Sequence, residues 1–108
     1  MTTARPTDDP VLQRYKAELA VMYGDRLERV VLFGSHARGE AHAESDYDLA
    51  VFLKTMPDRW QELDRLAELR MKFLVDTGAF FDTKPYVVGA YQQRTPLMRE
   101  IRRDGVEL

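Results

Sequence analysis

The chain has no cysteine, which excludes disulfide bonds and metal sites built from thiolates. It also has no run of about 18 apolar residues, the length that a membrane-spanning helix needs. The N-terminal segment MTTARPTDDP lacks the apolar core of a signal peptide. These absences predict a protein that does not associate with membranes and that lies in the reducing environment of the cytoplasm.

The chain also has little net charge, because 16 basic residues nearly balance 18 acidic ones and leave a formal charge of −2. Such a balance gives no general attraction for nucleic acid, so no direct nucleic-acid binding is expected. A length of 108 residues suits one core and is too short for two. We therefore expect a flexible lead-in over residues 1–9 and a single domain over residues 10–108.

Apolar periodicity and turn residues predict helices and strands along the whole domain. In chain order, the predicted elements are a helix over 11–23, a strand over 29–33, a helical turn after Gly34-Ser35, a strand over 47–53, a long helix from 57 to near 78, a strand over 79–88 and a short helix over 96–105. The long helix carries an apolar stripe that predicts its buried face, formed by Trp60, Leu63, Ala67, Met71 and Leu74 and widened by Leu66 and Phe73.

Two aspartates flank the first residue of the strand over 47–53, within the stretch VVLFGSHARGEAHAESDYDLAVFLK. Asp46 and Asp48 share a face of the strand, with their backbones about 6.5–7 Å apart. Their repulsion, on the order of 2–3 kcal/mol at an effective dielectric of about 20, is removed by a divalent cation. Oxygen ligands favour Mg²⁺ or Mn²⁺, which also bind substrate phosphates. On its own, an Asp-x-Asp tripeptide is more often a turn or a solvated strand edge.

The polar loop before these aspartates carries groups suited to phosphate. Gly34 lets a ligand approach the backbone, Ser35 offers a hydroxyl and an N–H group, and Arg38 offers paired guanidinium donors. An arginine in a polar loop is by default solvated, so both interpretations of Arg38 stay open. His36 and His42 do not have a metal-ligand spacing and are interpreted as solvated. Loop and aspartates together predict a nucleoside triphosphate site.

Gly34-Ser35, ten intervening residues and then Asp46-Tyr47-Asp48 resemble the signature of the polymerase-β-type nucleotidyltransferases, in particular the minimal nucleotidyltransferase (MNT) group. The likeness covers both supporting strands and the preceding YGDRLERVV, whereas the last 25 residues carry no signature. It implies an α/β (α+β) fold, a mixed β-sheet with helices packed on one face. It also implies that the glycine-serine turn holds the triphosphate of ATP, that the paired aspartates hold two Mg²⁺ ions, and that a third carboxylate on a later strand completes the metal site.

Asp82, in the segment FFDTK, is expected to be this third carboxylate. Asp76 lies close to a helix end, and the other acidic residues of the long helix belong to its solvated face. An exposed aspartate at a sheet edge is the open alternative for Asp82, because Pro85 makes the strand irregular. By the same resemblance, the residues expected to bind the nucleotide are Gly34, Ser35, Arg38 and Ser45.

The resemblance implies a Mg²⁺-dependent enzyme that transfers AMP from ATP to a hydroxyl group. Because proteins of this kind are similar to the antitoxins of HEPN/MNT toxin–antitoxin pairs, the expected acceptor is a tyrosine of a partner HEPN toxin. Two alternatives stay open: a non-catalytic antitoxin that neutralises its toxin by direct binding, and an antibiotic-type nucleotidyltransferase that modifies a small molecule. Both a homodimer and a hetero-oligomer fit the sequence.

Overall fold

The computed structural model describes residues 8–41 and 46–108, so the predictions for Ser45 and His42 lie outside the described residues. The elements, in chain order, are α1 Pro10–Tyr23, β1 Leu27–Phe33, α2 Gly34–Arg38, β2 Tyr47–Leu53, α3 Arg59–Thr77, β3 Phe81–Val87, α4 Pro96–Asp104 and β4 Val106–Glu107. All the predicted elements are present, and β4 and two short 3₁₀ helices over Gly24–Arg26 and Val88–Gln92 are additions. Within the described ranges, none of the helices is both long and apolar enough to cross a membrane.

The strands form one mixed sheet in the order β3-β2-β1-β4. Strand β1 runs antiparallel to β2 and β4, whereas β2 and β3 are parallel and are joined by the crossover helix α3. In this register Asp48 lies opposite Phe33 on one side and opposite Asp82 on the other. The end of β1 and the starts of β2 and β3 therefore meet at one end of the sheet.

The two long helices pack on one face of this sheet, and the short α4 packs on the other. Leu12 of α1 and Phe73 of α3 are buried together with Leu49 and Val51 of β2. The cluster that joins α4 to the opposite face consists chiefly of Val31, Phe33, Ala50, Phe52, Met98 and Ile101. The mixed sheet is thus confirmed, and the expected packing of helices on one face describes α1 and α3.

The predicted buried face of α3 is only partly correct: Leu66 and Phe73 are buried as expected, whereas the rest of the predicted stripe is half-buried or exposed. Trp60 and Met71 are 77% and 59% exposed. The residues of α3 that are buried lie about 100° further around the helix and are Glu62, Leu66, Leu69 and Phe73. Glu62 tolerates an inward position because Nη2 of Arg26 lies 3.1 Å and Nη1 of Arg65 lies 3.7 Å from its carboxylate. The buried face of α3 contains the charged residue Glu62, so in the sequence it is less apolar than the predicted stripe, most of which is not buried.

Candidate active site

Gly34 connects the end of β1 to α2 and lies directly against Asp48. Its backbone has φ of 73°, in the left-handed region that favours glycine. A Cβ atom at this position would overlap Oδ2 of Asp48 and would lie 3.2 Å from its Cγ. Neither the backbone conformation nor the space accepts another residue, so Gly34 brings the start of α2 against one of the predicted metal ligands.

Ser35 is the second residue of α2 and is half-buried. Its carbonyl oxygen accepts the backbone N–H of Gly39 and, at 2.9 Å, that of Glu40. These bonds close the short helix and confirm the helical turn that was predicted after Gly34. Contact of Ser35 with phosphate stays a prediction.

Asp48 and Asp82 are neighbours across the parallel strands β2 and β3. Each is the second residue of its strand, each is half-buried, and they lie opposite each other in the register. Four residues further along each strand, the rings of Phe52 and Tyr86 stack with centroids 5.6 Å apart, so these positions share the face of the sheet on which the aspartates lie. Asp46 is exposed and directly precedes β2. Of the three predicted ligands, Asp48 and Asp82 therefore lie side by side on neighbouring strands, and Asp46 lies two residues before Asp48.

The environment of Asp48 disfavours its charge. Burial, followed by the neighbouring carboxylate of Asp82, raises the pKa of Asp48, while the ammonium group of Lys84 lowers it. Asp46 and Glu100 make smaller contributions that also raise this pKa. Lys84 was not among the predicted site residues, and the alternation of β3 places it on the same face as Asp82.

The donor groups fit a hard divalent cation. They are carboxylates, which Mg²⁺ and Mn²⁺ prefer, and a cation would remove the repulsion that raises the pKa of Asp48. Among the residues described by the structure, no three acidic or imidazole side chains converge closely enough to enclose a metal ion as they stand. Binding of a metal ion by Asp46, Asp48 and Asp82 therefore stays a prediction.

Arg38, the last residue of α2, is held by two carboxylates. Its Nε donates to Oε1 of Glu40 at 2.5 Å, and its Nη1 lies 3.6 Å from Oε2 of Glu100 on α4. The hydrogen bond to Glu40 raises the pKa of the Arg38 guanidinium, a group that is positively charged in proteins even without such a bond. Arg38 is exposed at the surface and paired with two carboxylates, and its contact with phosphate stays a prediction.

A column of four stacked rings connects α2, the starts of β2 and β3, and α1. His36 of α2 stacks on Tyr47 with centroids 3.9 Å apart, Tyr47 stacks on Phe81 at 4.6 Å, and Phe81 stacks on Tyr15 of α1 at 3.9 Å. The hydroxyl group of Tyr47 also donates to Asp9, the residue that caps α1. His36 was interpreted as solvated and is instead part of this column.

The column was missed because its members are distant in sequence, although the aromatic residues that adjoin Asp46, Asp48 and Asp82 were a visible signal. Burial raises the pKa of Tyr15 to about 12, and its hydroxyl oxygen lies 2.7 Å from Oγ1 of Thr83. Thr83 follows Asp82 directly. The stacked rings thus fix the starts of β2 and β3, where the carboxylates lie.

Comparison with known proteins agrees with this geometry. The model of the family described as Polymerase beta, Nucleotidyltransferase matches residues 12–108. The match includes the loop, both central strands and Asp82. It also extends through α4 and β4, the segment in which the sequence alone offered no signature.

One relative is similar over almost its whole length. The Methanocaldococcus jannaschii protein MJ0141, named a protein adenylyltransferase, is 40% identical over 98 residues, which cover 91% of this chain and 95% of the relative.

Solved structures share the fold at lower identity. A nucleotidyltransferase-like protein from Sulfolobus solfataricus has a TM-score of 0.59 at 18% identity and covers 99% of this chain and 89% of its own. A toxin–antitoxin complex with AMP-PNP contains a chain with a TM-score of 0.58 at 23% identity, covering 88% of this chain and 70% of that one. At these identities the likeness is one of fold.

Proposed function

This chain belongs to the polymerase β nucleotidyltransferase family, and we propose that it transfers AMP from ATP to a hydroxyl group of a partner protein. The family fixes the class of enzyme, whereas the donor, the metal and the acceptor are the proposal. The observation that carries it is the packing of Gly34 against Asp48, beside Asp82. This packing supports a single surface on which a loop for phosphates adjoins carboxylates for a metal.

In the proposed reaction Asp46, Asp48 and Asp82 would hold Mg²⁺, which when bound would supply positive charge against the α-phosphate and the departing pyrophosphate. Ser35 and Arg38 bind the triphosphate and orient it. The acceptor oxygen forms a bond to the α-phosphorus as the bond from this phosphorus to the pyrophosphate oxygen breaks. Asp82 takes the proton that the acceptor hydroxyl loses.

The acceptor that we propose is a tyrosine of a HEPN toxin, with this chain as the antitoxin. The name of MJ0141 as a protein adenylyltransferase supports a protein acceptor, and the shared fold of the toxin–antitoxin complex with AMP-PNP supports a toxin as that protein. A phenol is a suitable nucleophile because its pKa is only about 10 and a nearby cation makes its ionisation easier.

Neutralisation of the toxin by binding alone is a second candidate, and one observation favours it. Three large apolar residues of α3, Trp60, Met71 and Val75, are exposed. Exposed apolar side chains grouped on one helix often mark a protein-binding surface. A catalytic antitoxin could bind its partner through the same surface. The two functions therefore differ only in whether AMP is transferred to the partner.

The test is to incubate the protein with its candidate HEPN partner, Mg²⁺ and each of the four nucleoside triphosphates in turn, and to measure the mass of the partner by intact-mass spectrometry. We expect the partner to gain one or more adenylate groups with ATP. Replacement of the modified tyrosine by phenylalanine should abolish the gain, because the nucleophilic oxygen is then absent.

The double variant Asp46→Asn/Asp48→Asn is the control for catalysis. It should still bind the partner but leave its mass unchanged, because the carboxylates that hold the metal are lost. A tight complex of unchanged mass with the wild-type protein would favour neutralisation by binding. Adenylylation by the double variant at the wild-type rate would contradict the assignment of the metal ligands.

A further inference from the structure

The C-terminal helix α4 brings a carboxylate to the candidate active site. Met98 and Ile101 of α4 are buried against the sheet, which fixes the helix beside α2. Glu100, next to Ile101, is half-buried and directs Oε2 to within 3.6 Å of Nη1 of Arg38. The last helix of the chain thus contacts a residue that is predicted to bind phosphate.

Arg38 is oriented from both sides and is still accessible. Glu40 accepts from Nε, and Glu100 faces Nη1. The arginine side chain remains 40% exposed, and a guanidinium has five N–H donors, so these two contacts leave donors for a phosphate. Glu40 is only two residues from Arg38 in sequence, whereas Glu100 ties the arginine to a separate element that is packed on the sheet.

Without Arg38, the negative charge of Glu100 would disfavour the binding of a nucleotide at this site. Its carboxylate is close enough to contribute to the electrostatic environment of Asp48, which is already crowded by Asp82. An acidic group beside a triphosphate repels it unless a cation lies between them. The effect of Glu100 on nucleotide binding therefore depends on Arg38.

We propose that Glu100 is a positioning residue, which holds the guanidinium of Arg38 beside the carboxylate cluster in an orientation ready for the triphosphate. An arginine that is already oriented loses less side-chain entropy when it binds its ligand. The inference rests on the proposed function, because it requires a nucleoside triphosphate at this site. It assigns to α4 a role in nucleotide binding.

A double-mutant cycle tests the proposal through the Kd of AMP-PNP with Mg²⁺, measured by calorimetry. Arg38→Ala should weaken binding about 10–100-fold, the effect of losing a charge-assisted phosphate contact. Glu100→Gln should weaken binding about 3-fold, because the guanidinium is no longer held. In the Arg38→Ala background, Glu100→Gln should instead tighten binding about 2-fold, because only the repulsion remains to be removed.

Two further variants separate orientation from folding. Glu100→Asp keeps the charge and should recover part of the binding that Glu100→Gln loses. Glu107→Gln removes a carboxylate on β4 from another surface ion pair, in which Nε of Arg29 on β1 lies 2.6 Å away, and should leave the Kd unchanged. Thermal unfolding of every variant checks that each is folded at the temperature of the titration.

The outcomes separate this inference from the proposed function. Failure of the wild-type protein to bind AMP-PNP would contradict both. An unchanged or tighter Kd for Glu100→Gln, with normal binding by the wild-type protein, would overturn the inference alone. Equal weakening by Glu100→Gln with and without Arg38 would also overturn it, because Glu100 would then act by another route.

Discussion

The two ends of the sheet hold carboxylates in opposite settings. At one end Glu62, only 2% exposed, lies within ion-pair distance of Arg26 and Arg65. At the other end Asp48 lies opposite Asp82, and together these carboxylates have the ammonium group of Lys84 as a nearby cation. The chain neutralises the first charge with its own arginines, whereas the second group of charges calls for a cation from outside.

The difference separates a structural carboxylate, Glu62, from one that we propose to be functional, Asp48. Glu62 joins α3 to the turn before β1, so its ion pairs hold two elements together. Asp48 is kept in an unfavourable setting by the contact with Gly34 and by the register of β2 and β3. Such local destabilisation is common at functional sites, where stability is exchanged for activity.

The largest effect should come from Gly34→Ala, which acts at the functional end. The new Cβ atom displaces the carboxylate of Asp48 and must also adopt an unfavourable positive φ, so transfer should fall at least about 100-fold. The measurement is the rate of adenylylation of the partner protein under single-turnover conditions.

Gly78→Ala is the matched control for this prediction. Gly78 has φ of 76°, close to that of Gly34, but a Cβ atom there meets nothing within 4 Å. It should lower stability without a comparable loss of rate. Equal losses of rate in the two variants would show that backbone strain, and not displacement of Asp48, is responsible.

A smaller effect, on stability, is expected from Glu62→Gln at the structural end. Loss of one partner leaves the arginines without their counter-charge, and because Arg26 is 35% exposed the cost should be about 1–3 kcal/mol. Urea unfolding measures this change in the free energy of unfolding. The exposed pair of Glu18 and Lys72, with 3.3 Å between their charged atoms, gives the control Glu18→Gln, for which a change within about 0.5 kcal/mol is expected. An equal loss in both variants would remove the distinction between the two ends.

The sequence predicted the functional end better than the structural end. The strand over 47–53 was predicted with its observed bounds, because period-two alternation and flanking polar residues are local signals. The buried face of α3 was predicted only at Leu66 and Phe73, because the burial of Glu62 depends on an ion pair with Arg26, which is 36 residues away in sequence. The contact of Arg38 with Glu100 could not be predicted from the sequence for the same reason, because it depends on how α4 packs against the sheet.

We propose that Lys84 neutralises Asp48 and Asp82 only in part, so that these carboxylates can bind a metal ion. Removing one of two like charges that face each other across strands should raise the free energy of unfolding by about 0.2–1 kcal/mol. Asp48→Asn should therefore be slightly more stable than the wild-type protein in metal-free buffer.

The pKa of Asp48 is raised in the folded state, so the free energy of unfolding of the wild-type protein should fall as pH rises through the window just above the ordinary pKa of aspartate. The Asp48→Asn variant should lack that fall.

The most direct measurement is the shift in unfolding midpoint when Mg²⁺ is added to protein that is saturated with AMP-PNP in EDTA. For the wild-type protein we expect a stabilisation of about 1.4 kcal/mol at a free Mg²⁺ concentration of about ten times Kd. Asp48→Asn and Asp82→Asn should show little or none, because each lacks a ligand of the proposed metal site. A wild-type shift that persists in full in both variants would contradict the account.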